Sequence, residues 1–193
     1  QISGAGVHDS LVAGSGAHSV LYDSGNFATL VGGSGHGDVL VAGGGTDVSL
    51  VAGGRDAVLS GGSGEGDILN AQHFAAVTLQ GGDGHQEYLY GAGSHDAFYV
   101  GGAGDSGHGN GTLVAGGNNE QIHIGAHGSD TITGSGSGDA VFFDSEKYGT
   151  GFGITINTAA NGVTTVKFDD TGQHFKISGI QTLTFSDGHV VHL

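Results

Sequence analysis

A short apolar strand pattern returns every nine or ten residues from the N-terminus to about residue 143. Its central apolar residue stands at positions 11, 21, 30, 40, 50, 59, 69, 79, 89, 99, 113, 122, 132 and 142, with one longer step across residues 101 to 112. Glycine-rich turns separate the strands and leave no room for a helix. A unit this short cannot bury its apolar face alone, so it must stack on copies of itself.

This period predicts an all-β fold, a parallel β-roll or β-solenoid with two strands in each coil. Alternate units then fall in two different sheets. The first sheet is expected to bury Leu11, Leu30, Leu50, Leu69, Leu89, Leu113 and Ile132. The second sheet is expected to bury Leu21, Leu40, Leu59, Leu79, Tyr99, Ile122 and Phe142. The repeat array is assigned to residues 1–143.

The remaining residues, 144–193, have a different pattern. Their strands are longer, as at Gly153–Asn157 and Val163–Phe168, and Asn161-Gly162 between them is typical of a tight turn because both residues tolerate positive φ. We interpret this region as a C-terminal β cap, since a stacked array leaves an open edge that recruits other chains.

Composition restricts the partners. The formal net charge is −15, and three of the four cationic residues lie after position 146. An array with almost no positive charge should repel nucleic acid and anionic membranes, and no apolar run is long enough to predict membrane insertion. The acidic surface suits divalent cations. The chain has no cysteine, so stacking, backbone hydrogen bonds or ions must hold it together.

The repeats resemble those of the repeats-in-toxin (RTX) family, whose nonapeptide is G-G-x-G-x-D-x-U-x. The best match is Gly125–Thr133, and partial matches lie at Gly53–Val58 and Gly101–Ser106. The segment Ile177–Gly188 is similar to segments that close such arrays. The resemblance implies calcium between the turns, an extracellular or cell-surface location and bacterial type I secretion. It does not imply toxicity.

Many units depart from the RTX pattern through an extra residue or a missing Asp, so we expect few calcium sites, or none. A site of this family takes carboxylates from turns stacked on one edge. Same-edge pairs exist at Asp38 with Asp56 and at Asp47 with Asp67, and Asp130 and Asp139 complete the candidate ligands. The alternative is that these aspartates are ordinary turn residues that bond to their own backbone.

A candidate interface lies on the outer face of the first sheet. It comprises Val12, Val31, Val51, Tyr88, Tyr90 and Val114, and side chains at Phe98, Val100, Val141 and Phe143 are expected to add exposed apolar area. Such a face favours self-association. A polysaccharide is the other candidate partner, for which Tyr88, Tyr90, Phe98 and Tyr99 are the available aromatic cluster.

These features favour a non-catalytic extracellular structural protein, a unit of a surface layer, fibre or adhesin. The alternative is a carbohydrate-binding accessory module of a larger secreted enzyme or toxin. Enzyme motifs are weak: the G-x-G-x-x-G at residues 102–107 has no βαβ unit around it, and no G-x-S-x-G motif occurs. The twelve histidines are interpreted as solvated turn residues rather than metal ligands or a pH switch.

Overall fold

The computed structural model describes residues 1–100, 111–125, 129–146, 148 and 153–193. Within these residues the chain forms a parallel β-solenoid of about 7 turns with repeats of about 19 residues. Each coil contributes one strand to each of two sheets because glycine-rich turns reverse the chain after every three to five strand residues. The predicted all-β solenoid with a C-terminal cap is confirmed.

Within the described ranges, the first sheet has ten strands, in the order β16-β17-β18-β14-β12-β10-β8-β6-β4-β2. They are β2 (Ser10–Val12), β4 (Thr29–Val31), β6 (Ser49–Val51), β8 (Ile68–Gln72), β10 (Tyr88–Gly91), β12 (Thr112–Ala115), β14 (Thr131–Gly134), β16 (Ile154–Thr158), β17 (Val163–Phe168) and β18 (His174–Ser178).

The second sheet has the order β1-β3-β5-β7-β9-β11-β13-β15-β19-β20. Its strands are β1 (Ile2–Gly4), β3 (Val20–Asp23), β5 (Val39–Ala42), β7 (Val58–Ser60), β9 (Thr78–Gln80), β11 (Ala97–Val100), β13 (Gln121–Ile124), β15 (Ala140–Phe143), β19 (Thr182–Phe185) and β20 (Val190–His192).

The core is a ladder of leucines between the sheets. Leu30, Leu50 and Leu69 of the first sheet and Leu40 and Leu59 of the second are completely buried. Each stands opposite its equivalent in the neighbouring coil, as Leu30 does with Leu50. Burying one leucine contributes about 2 kcal/mol, so the ladder is the main source of stability.

The predicted core is wrong at two places in the second sheet. Tyr99 is 42% exposed, and Phe98 occupies the core position, opposite Leu79. In the same way the core position of β15 is occupied by Val141, opposite Ile122, and not by the predicted Phe142. Successive side chains of a strand point to opposite faces of the sheet. An error of one residue in the predicted core position therefore assigns every side chain of that strand to the wrong face. The residues expected to be exposed at 98, 100, 141 and 143 are all buried.

The C-terminal region closes the stack. Strands β18 and β19 pair in parallel with β14 and β15 and form the last coil, whereas β16, β17 and β20 are antiparallel. Phe143 contacts the rings of Phe168, Phe175 and Phe185 at centroid distances of 5.1, 5.3 and 5.3 Å. This aromatic cluster covers the end of the leucine ladder.

Candidate functional site

Carboxylates occupy one recurring position of the coils, the residue immediately before a strand, which we call the pre-strand position. Among the described residues, four strands of the second sheet follow an acidic residue (β5, β11, β13 and β15), and so do strands β2, β8, β10 and β14 of the first sheet. The buried members are Asp38, Asp67, Glu87, Asp96, Glu120, Asp130 and Asp139. A charged group in such a place is costly unless hydrogen bonds satisfy it.

The hydrogen bonds follow one rule. One oxygen of Asp38 accepts from the backbone N–H of Ser19, the pre-strand residue of the preceding coil, at 2.8 Å. Its other oxygen accepts from the N–H of Gly33 in its own turn, at 2.8 Å. Asp67 repeats this arrangement with Val48 and Gly62, at 3.0 and 3.2 Å. Each carboxylate therefore ties a turn to the coil before it.

Three acidic residues continue this bonding through successive second-sheet turns, and we call them the acidic ladder: Asp96, Glu120 and Asp139. Glu120 accepts from the N–H of Asp96 at 3.0 Å, and Asp139 accepts from that of Glu120 at 3.1 Å. The amide oxygen of Gln181 ends the series by accepting from the N–H of Asp139 at 2.8 Å. One oxygen of each acidic member has no hydrogen-bond partner.

Two members of the acidic ladder have raised pKa values. Burial, reinforced by the nearby carboxylates of Asp96 and Asp139, raises the pKa of Glu120 to about 8. Burial also raises the pKa of Asp96 to about 6, against the opposing effect of backbone hydrogen bonds. A protonated carboxyl can donate as well as accept, which suits a buried row of acids.

Asp38 and Asp67, the two buried members of the predicted calcium pairs, bond to backbone N–H groups. Their predicted partners, Asp47 and Asp56, are exposed and adopt φ of 55° and 58°, and burial together with the nearby carboxylate of Asp47 raises the pKa of Asp67. Asp56 forms a surface ion pair with Arg55 at 3.5 Å, and Asp47 borders a surface pocket with Glu65. Six to eight oxygens must converge on a calcium ion, so calcium at these pairs stays a prediction that needs ligands beyond the two carboxylates.

The other predicted ligands belong to the same bonding system. Asp130 accepts from the N–H of Gly111 at 2.9 Å, and Asp139 lies in the acidic ladder. Across the described ranges, no three His, Asp or Glu side chains are grouped so as to hold a metal ion. The best RTX match, Gly125–Thr133, lies partly outside the described residues, and residues 101–107 lie wholly outside them.

Sequence reasoning missed Glu87, Asp96 and Glu120 as pre-strand carboxylates. The signal was present, because each is followed two residues later by a core side chain: Leu89, Phe98 and Ile122. It was also not foreseen that the residue before the pre-strand position takes a left-handed conformation, even where it is His8, His18 or His95. His8 stacks on Phe27 at 5.0 Å, so this histidine has a packing role.

The predicted interface residues do share one face. Val12 lies opposite Val31, and Val31 lies opposite Val51; further along the same row Tyr90 lies opposite Val114. Tyr88 lies in the adjacent outward row, and Val12 and Tyr88 are 59% and 39% exposed. The predicted aromatic cluster, by contrast, is not formed: Tyr88 and Tyr90 lie on the first sheet, Phe98 in the core and Tyr99 on the second sheet.

No family model, curated protein or solved structure matches this chain. The architecture is therefore established by the strand pairing alone. No helix among the described residues is long and apolar enough to cross a membrane. What the geometry offers is a stack with two long outer faces, each of which carries valines in register on successive coils.

Proposed function

We propose that the chain is a non-catalytic structural unit of an extracellular assembly, such as a surface layer, fibre or adhesin. The observation that carries this proposal is the outward row Val12–Val31–Val51, which stands in register on successive coils of the first sheet. Sheets pack face to face at about 10 Å through such rows. A second copy would remove these valines from water.

The interior suits a structural unit. Leucines fill the space between the sheets, and pre-strand carboxylates tie neighbouring coils through backbone N–H groups. Calcium remains a proposal for this protein, as an additional stabiliser rather than the foundation of the fold. We expect a chelator to leave the far-ultraviolet circular dichroism spectrum unchanged and to do no more than lower the unfolding temperature. Loss of the β signal in chelator would contradict this proposal.

The assembly is tested by replacing valines on each face separately. Val31→Asn with Val51→Asn should reduce the association measured by light scattering and abolish ordered filaments or sheets in electron micrographs. The matched control is Val41→Asn with Val58→Asn, two half-buried valines on the outer face of the second sheet. A chain that stays monomeric before any substitution, or equal effects of the two pairs, would contradict packing through the first sheet.

A further inference from the structure

The outer face of the second sheet contains a depression of about 380 Å³. Its floor and sides come from in-register positions of three successive coils, where Ser60 lies opposite Gln80 and Gln80 opposite Tyr99. Asp83 borders it from the following turn. The rest of the lining is backbone at two glycine pairs, residues 61–62 and 81–82. The depression is open because the four glycines have no side chains to fill it.

Tyr99, which forms one wall of the depression, is the end member of a stack of three rings. The rings of Tyr99 and His123 lie 4.8 Å apart at 14°, and those of His123 and Phe142 lie 4.8 Å apart at 10°. Asp144 holds the imidazole of His123 through Nδ1, at 3.1 Å. His123 covers one face of the Tyr99 ring. The opposite face is turned towards Gln80 and Ser60, that is, into the depression.

The stack also fixes the tyrosine before any ligand arrives. A ring held between neighbouring coils has lost most of its rotamer freedom already, so binding against it costs little further ordering. Tyr99 nevertheless remains 42% exposed. An ordered aromatic face beside hydroxyl, amide and carboxylate groups is the arrangement that a small site uses to combine apolar contact with directional hydrogen bonds.

We propose that this depression binds a neutral saccharide, with one sugar ring lying against the free face of Tyr99. The C–H groups of the sugar would contact the ring, and its hydroxyls would bond to the side chains of Ser60, Gln80 and Asp83. The net charge of −15, together with Asp83 at the rim, disfavours an anionic polysaccharide. This proposal does not depend on lateral assembly, which uses the other sheet.

The test uses ¹⁵N-labelled protein titrated with four neutral hexasaccharides: the β-1,4-linked oligomers of glucose, of N-acetylglucosamine and of xylose, and the α-1,4-linked oligomer of glucose. At least one should shift the amide signals of Gly61, Gly62, Gly81 and Gly82. Tyr99→Ala should weaken that binding by about tenfold, whereas Tyr99→Phe, which keeps the ring, should bind within about twofold of the original. The matched control is Tyr88→Ala, which removes a tyrosine of similar exposure from the opposite face.

Three results would overturn the proposal. The first is that none of the four oligosaccharides shifts these amides at millimolar concentration. The second is that Tyr88→Ala weakens binding as much as Tyr99→Ala does. The third is that the same amides shift with protein concentration alone, because the occupant would then be a second copy of the chain. Circular dichroism of each variant confirms that the solenoid is intact.

Discussion

At the residue scale, the pre-strand carboxylate explains why aspartate recurs in this array. Asp38 satisfies two backbone N–H groups at once, one in its own turn and one in the preceding coil. An unsatisfied buried donor costs about 1–3 kcal/mol. The position is therefore occupied by acidic side chains for a structural reason, whether or not an ion is bound nearby.

Replacing Asp38 with alanine should show this directly. Asp38→Ala leaves the N–H groups of Ser19 and Gly33 without their acceptors, and we expect the free energy of unfolding to fall by about 2–4 kcal/mol. Asp56→Asn is the control, because it removes an exposed charge of the same edge while asparagine tolerates the positive φ of this position, and it should change stability by less than about 1 kcal/mol. Urea unfolding measures both. Equal losses would contradict the bracing role of Asp38.

Glu120 and Asp96 make stability depend on pH. Glu120 has a folded-state pKa of about 8, above the ordinary value of 4.5, so the folded chain holds a proton that the unfolded chain releases. Stability from this group is fully present below about pH 4.5 and is lost as the pH rises towards 8. Asp96 acts in the same direction between its ordinary value of 3.8 and about 6.

We therefore expect the free energy of unfolding to fall between pH 5 and pH 8. Glu120→Gln, which stays neutral, should flatten this dependence and make the protein more stable than the original chain at pH 8. Glu65→Gln removes the charge of an exposed glutamate and should leave the slope as it was. If Glu120→Gln does not alter the slope of the free energy of unfolding against pH, Glu120 is not the group that binds the proton.

At the element scale, the turns set how closely two coils approach. A Cβ atom on Gly33 would overlap the carbonyl oxygen of Gly14, the equivalent glycine of the preceding coil. Gly14 has no coil before it, and a Cβ there would meet no atom within 4 Å. Glycine is therefore required at position 33, where the preceding coil packs against the turn, and is not required by packing at position 14.

This difference gives a matched pair of substitutions. Gly33→Ala should destabilise the protein by about 1–3 kcal/mol or more, because the clash is with backbone and the coils must separate. Gly14→Ala should be neutral or slightly stabilising, since alanine restricts the unfolded chain. Thermal unfolding of the two variants measures the contrast. A similar loss in both would mean that conformational preference, rather than coil spacing, requires the glycine.

At the scale of the whole molecule, the two ends of the stack differ. Strands β16, β17 and β20 and the cluster around Phe143 cover the C-terminal end. At the other end β2 pairs only with β4, and Leu11 is 7% exposed whereas Leu30 is completely buried. A stack whose coils contact only their neighbours opens most easily from its less covered end.

Hydrogen exchange should therefore be graded along the stack. Amides of β1 and β2, the edge strands at the N-terminal end of the two sheets, should exchange fastest among the strand amides, and protection should rise through β3 and β4 to a plateau in the central coils. Replacing Phe175, which is completely buried in the cap, with alanine should create a second fast-exchanging region in β14 and β15. Uniform protection from β2 to β15 in the original chain would contradict the graded opening.

The sequence by itself determined the period, the two sheets, most of the leucine ladder and the capped end. These features follow from local patterns, because each strand-and-turn unit of nine or ten residues places an apolar residue at the same position of the repeat. The register of the strands then follows from the repeat, since each unit pairs with a neighbouring unit of the same pattern.

Only the tertiary structure decided which residues of β11 and β15 face inward, because turn length varies and a one-residue shift reverses the faces of a strand. It also decided what the carboxylates do: the partner of Asp38 lies nineteen residues earlier, at Ser19, in a contact that exists only after stacking. The ring stack of Tyr99, His123 and Phe142 has the same origin. Its members lie more than eighteen residues apart in the chain and meet because the coils are spaced by a β-ladder.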